Sequence, residues 1–209
     1  MKLRLPLAAA LALCALLAQA QSLPAPKEFY FDEDPHTTRA IVAVQGEGDA
    51  VVDRLAANIA RRSSDVESRA QLARVAMRSG RMELGEELYR AAQKAAGSNQ
   101  RLARAVTWNF AWDLYHAGQP ERALDQWQSL LGGWPSTPSW QPPTLAMALW
   151  KVGRKAEAAT WYAAAVRTEP QQWSGTSAYA RLLPDWREED RATLAEVQAY
   201  WQANPPAWP

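Results

Sequence analysis

The chain has 209 residues, 48% hydrophobic and 22% charged, with a formal net charge of +1. That length supports one substantial core, and so even a charge balance leaves no basic stripe to neutralise a phosphate backbone, which excludes nucleic acid as an expected partner. Its single cysteine, Cys14, excludes an internal disulfide framework.

Residues 1–20, "MKLRLPLAAALALCALLAQA", combine Lys2 and Arg4, an apolar run from Leu5 to Leu17 and the triplet Ala18-Gln19-Ala20. This is the pattern of a secretory signal peptide cleaved after Ala20. The apolar run falls short of the ~20 residues that span a bilayer, and no later stretch is long enough, so no transmembrane segment is expected. Leu13 stands before Cys14 where lipidation signals need a small residue, so a lipoprotein is not expected. Cleavage removes Lys2 and Arg4 from 23 basic residues against 22 acidic ones and takes the charge to −1. The expected product is a periplasmic or secreted protein.

Residues 21–48 read as an extended or poorly ordered lead-in containing proline and acid. Residues 49–203 read as a helical domain, and residues 204–209 as a proline-rich tail. Through the middle stretch apolar and small residues recur at three and four, as in "DAVVDRLAANIARR", "RAVTWNFAWDLYHA" and "EEDRATLAEVQAYWQA", with glycine, proline or serine between them. The segments repeat. Gly118, Ala123 and Trp127 of one stretch correspond to Gly153, Ala158 and Tyr162 of the next, and to Gly80, Gly85 and Tyr89 of the one before. Upstream, Leu72-Ala73, Phe110-Ala111 and Leu145-Ala146 stand eight and seven residues before each turn glycine. Tyr179-Ala180, Ala192 and Ala199 continue the register in a degenerate fourth unit that Pro184 shortens.

The small residues let paired helices approach closely, and the turn glycines cap the first helix of each pair. With this small, aromatic and proline signature, Ser68 to Ala203 resembles the tetratricopeptide repeat family, whose unit is ~34 residues of helix–turn–helix. The resemblance implies an all-α solenoid of about three repeats with degenerate terminal units. The spacings of 38 and 35, and Gly97 in place of a closing proline, depart from the family pattern.

Little points to catalysis. "AIVAVQGEGDAVV", residues 40–52, imitates a dinucleotide loop, but Glu47 and Asp49 would face a pyrophosphate, Val51 replaces the third glycine and no second strand follows. It reads instead as an extended segment leading to a helix with Asp49 near its start. "FDED", residues 31–34, lacks a calcium loop and reads as a solvated acidic linker. His36 and His116 make no zinc pair. No cofactor, metal or enzymatic activity is expected.

All eleven tryptophans lie from Trp108 to Trp208. Trp108, Trp112 and Tyr115 are spaced four and three, so they share a helix face turned from Phe110 and Ala111. In the family, first helices line a concave groove. The resemblance places Gln71, Arg74, Met77 and Arg78 there from the first unit, Trp108, Asn109, Trp112, Tyr115 and His116 from the second, and Trp140, Thr144, Met147, Trp150 and Lys151 from the third. Four such rings half exposed would show roughly 300–500 Å² of apolar surface. Of the family's two-carboxylate clamp only Asn109 matches, so that activity is not implied. The expectation is an interaction scaffold binding a protein or peptide segment, extended or helical, in an aromatic groove. The alternative is a carbohydrate-binding or carbohydrate-cleaving cell-wall protein. The lead-in or the "GGWPSTPSW" loop could also fold over the groove.

Overall fold

The computed structural model describes residues 22–28, 32–132 and 137–207. The expected signal peptide, Phe31, Pro135 and Trp208 lie outside the described residues. Within them the fold is all-α: eleven helices, no strand, and one isolated bridge between Asp32 and Pro138. No helix among them is long and apolar enough to cross a membrane.

After a single turn, α1 (Pro35–Thr38), comes α2 (Asp49–Arg61), with Gly48 at its N-cap and Asp49 in its first turn. Three helical hairpins follow: α3 (Val66–Arg78) with α4 (Met82–Ala96), α5 (Gln100–His116) with α6 (Pro120–Ser129), and α7 (Gln141–Lys151) with α8 (Lys155–Thr168). Each hairpin packs on the next, giving a helix-turn-helix repeat solenoid. The N-caps follow ordinary chemistry: Asp65 accepts from the Ser68 amide at 2.9 Å and Asn99 from the Leu102 amide at 3.1 Å. Proline opens α6, where its missing N–H costs nothing.

The three hairpin turns are copies of one another. Gly80, Gly118 and Gly153 have φ of 77°, 76° and 79°, and the amide after each reaches back five residues: Arg81 to Ala76, Gln119 to Leu114, Arg154 to Leu149, at 2.9 to 3.0 Å. This is the Schellman closure, which needs the left-handed conformation glycine supplies. The repeat register is equally visible in the core. Ala73, Ala111 and Ala146 on the first helices, and Tyr89, Trp127 and Tyr162 on the second, are all fully buried. At Gly85 an added Cβ would stand 2.3 Å from Met77 Cγ and 3.0 Å from the Ala73 carbonyl oxygen. Here α3 and α4 touch backbone to side chain.

The last unit is irregular. Two four-residue helices, α9 (Pro170–Trp173) and α10 (Tyr179–Leu182), precede α11 (Glu188–Ala203), which packs against α7 and α8. Tyr162 ties α9 and α10 together by donating or accepting at Tyr179 Oη (2.6 Å) and reaching the Trp173 carbonyl (2.6 Å). Burial pushes the Tyr162 hydroxyl up to about 12.

Candidate functional site

The described part of the lead-in is an ordered strap across the inner helices. Gln71 on α3 accepts from the amides of Ala43 (2.7 Å) and Val44 (2.8 Å) and donates to the Val44 carbonyl (2.7 Å). One hairpin on, Asn109 on α5 accepts from the Ile41 amide (3.2 Å) and donates to the carbonyls of Arg39 (2.9 Å) and Ala105 (2.8 Å). Two amide side chains on successive first helices therefore hold an extended main chain. Further back, Ser139 donates its amide to the Asp32 carbonyl at 2.7 Å and Arg167 pairs with Glu28.

This corrects the reading of "FDED" as a solvated linker. Asp34 is buried, 3.4 Å from Arg104 Nη2, and accepts from Trp140 Nε1 at 3.2 Å. A buried carboxylate is tolerated where it is paired and hydrogen-bonded; both donors reach Oδ2 and come from α5 and the start of α7, which no local reading of four residues reveals.

Beside the strap the concave face keeps a cavity of about 950 Å³. Its aromatic lining is Trp108, Trp112, Trp140, Trp173 and Trp186. Charged side chains frame it, among them Arg74, Arg78 and Arg181 against Glu33, Asp113 and Asp185. Trp112 is the hub: its ring centroid lies 5.1 Å from Trp127, 5.1 Å from Trp186, 5.3 Å from His116 and 5.9 Å from both Trp108 and Tyr115. Most of these pairs are near perpendicular, the edge-to-face arrangement ring quadrupoles favour.

The structure brings eight of the expected groove residues to the cavity: Arg74, Arg78, Trp108, Asn109, Trp112, His116, Trp140 and Thr144. The others lie elsewhere. Tyr115 is buried behind Trp112, with its hydroxyl pKa raised by burial. Met147 is fully buried, and Met77 packs at the close approach to Gly85. Trp150 meets Tyr200 edge-to-face at 5.4 Å and donates to Glu196 Oε2 at 2.8 Å, while Lys151 is exposed outside the lining. α11 covers the far end of α7, where the sequence suggested open groove, and engages Trp150 there, whereas Met77 is taken up by the contact of α3 with α4. The expected broad apolar surface is also absent from this face, because Trp108 is 6% exposed and Trp140 7%.

Several of the cavity's charged groups are wired into the fold. Arg74 Nη2 donates to Asn109 Oδ1, and its Nε sits 3.8 Å from Asp113 Oδ2, which also accepts the Tyr89 hydroxyl. Burial pushes the Asp113 carboxyl above its ordinary range, with Tyr89 and Arg74 pulling the other way. His116 Nε2 lies 3.0 Å from Asp190 Oδ2 at the start of α11. Arg78 and Arg181 line the cavity and are exposed.

Sequence reasoning missed Trp173, Arg181 and Trp186, which come from the irregular unit, and Glu33 from the strap. The tryptophan spacing past Pro170 was the available signal, but without a repeat register it could not say which face they occupy. No group of three or more metal-ligating side chains occurs among the described residues. Compared with family models, with curated proteins and with solved structures, the chain matches none.

Proposed function

We propose that the chain is an interaction scaffold of tetratricopeptide type that binds a short extended segment of another protein in its concave cavity. Residues 1–20 would direct it to the periplasm or the cell exterior, and it carries out no chemistry of its own. The observation that carries this reading is the use of Gln71 and Asn109, on successive inner helices, to hold extended main chain beside an aromatic cavity. Main-chain hydrogen bonds supply affinity and side-chain pockets supply specificity in such recognition.

Of the two kinds of peptide left open by the sequence, the extended one is favoured by the way Gln71 and Asn109 hold main chain, since a helix spends its main-chain groups internally. The carbohydrate reading has one observation in its favour, five tryptophans beside carboxylates and arginines. Trp108, Trp140 and Trp173 are each under a tenth exposed, leaving little ring face for a sugar.

A photo-crosslinking residue at Trp186, with one at exposed Leu84 as control, tests the proposal in a native envelope extract. Protein adducts confined to position 186 are expected. Quenching of tryptophan fluorescence by soluble glycan fragments, with no protein adduct at 186, would replace it with the carbohydrate reading.

A further inference from the structure

We infer that residues 32–44 are a removable strap, exchangeable for a partner segment of the strap's own chemistry: a carboxylate, one helical turn, then extended main chain with a β-branched apolar side chain seven residues after the carboxylate. This rests on the peptide reading above and adds what guards the site and what the partner looks like.

Three observations carry it. First, the strap is held mainly by polar contacts. From Asp32 to Val44 the buried apolar side chain is Ile41; the polar anchors are the Asp34 contacts to Arg104 and Trp140, the Arg104 bond to the buried Thr37, the Ser139 amide on the Asp32 carbonyl, the Arg39–Glu67 pair and the main-chain bonds to Gln71 and Asn109. Segments with few buried apolar contacts open at low free energy, without global unfolding. Second, a hinge is built in. Gly46 and Gly48 have φ of 101° and 80°, and residues 45–50 are exposed, so the strap can swing while α2 stays seated.

Third, strap and cavity share their hardware. Asn109 Oδ1 accepts from Ile41 and from Arg74, a cavity residue. Trp140 holds Asp34 through its indole N–H while its ring lines the cavity, and Glu33, Thr38 and Ala40 of the strap form part of the wall. An incoming segment that offers a carboxylate to Arg104 and Trp140 and main-chain groups to Asn109 and Gln71 makes the same bonds the strap makes. The two occupants are therefore in competition, and the strap, being tethered, sets the affinity a partner must exceed.

The test uses the full chain with a specific protease site in place of residues 45–48, compared cut and uncut, and a fluorescent synthetic peptide of residues 32–46 as probe. The cut chain should keep its helical circular dichroism and bind the probe, with Asn109→Ala in the chain or Asp34→Ala in the probe weakening binding at least tenfold. The uncut chain should bind it at least tenfold more weakly. In the unmodified chain, the amides of Ile41, Ala43 and Val44 should exchange with deuterium at least a hundredfold faster than that of Ala111 in α5. Loss of helix on cutting, no exchange of probe for strap, or equal protection of Ile41 and Ala111 would each show that the strap is an integral part of the core. Crosslinks at position 186 persisting alongside that outcome would leave the peptide reading intact and remove only the strap's role.

Discussion

Tyr89 is fully buried, and its hydroxyl has a single anionic acceptor, Asp113 Oδ2. Burial raises both groups above their ordinary values. For a carboxyl raised on folding, the contribution to stability is greatest below the unfolded pKa and is lost as pH rises through the folded one. Tyr89→Phe removes a donor that holds this loss down, and an unsatisfied buried acceptor costs about 1–3 kcal/mol. The variant's deficit in urea unfolding should therefore widen from about pH 4 to about pH 7. Trp112 gives a second expectation. Its five ring neighbours span α5, α6 and the segment before α11, so Trp112→Ala should cost about 3 kcal/mol or more, near the range for buried aromatic truncations, read as a lowered melting temperature. The four-and-three spacing of Trp108, Trp112 and Tyr115 made their common face legible in the sequence. What lies over that face was not, because Trp186 and the strap arrive from distant segments.

Between helices, α3 and α4 approach closely at Gly85. The nearest atoms to an added Cβ include the Ala73 carbonyl oxygen and the Met77 amide nitrogen, backbone that cannot swing aside. Gly85→Ala should cost about 1–3 kcal/mol by overpacking, although it favours helix by propensity, and a rise in melting temperature would contradict the packing. The hairpins are also stitched on their outer helices. Glu86 on α4 takes Arg122 of α6 through two 2.7 Å bonds, and that pairing holds its carboxyl below the ordinary 4.5. A depressed carboxyl contributes stability above its unfolded pKa and loses it as pH falls through the folded value. Glu86→Gln should flatten the acid-side fall in melting temperature, by no more than ~1 kcal/mol because Arg122 is half exposed. The hairpins were legible because a period repeats its own evidence: glycine, alanine and aromatic return three times in register. The irregular unit returns none of them cleanly, so the cover that α11 places over Trp150 had no signature.

Taken whole, the molecule is a short solenoid whose two ends are closed differently. In repeat arrays each unit leans on its neighbours, and the terminal units must shield what the last interface leaves open. At the C-terminal end α11 does this with Leu194 and Val197, both fully buried. Along the concave face the strap crosses α3 and α5 and forms part of the cavity wall. The aromatic cluster there has an optical consequence. Trp108, Trp112, Trp127, Trp140 and Trp186 are linked by centroid distances of 4.8 to 6.1 Å at fixed, steep angles, so their indole transitions are electronically coupled in a chiral arrangement. Near-ultraviolet ellipticity depends on such fixed packing, whereas far-ultraviolet ellipticity follows the backbone. The chain thus carries an unlabelled reporter at its own cavity: any event that turns Trp112 or Trp186 changes the near-ultraviolet spectrum while the helices stay silent.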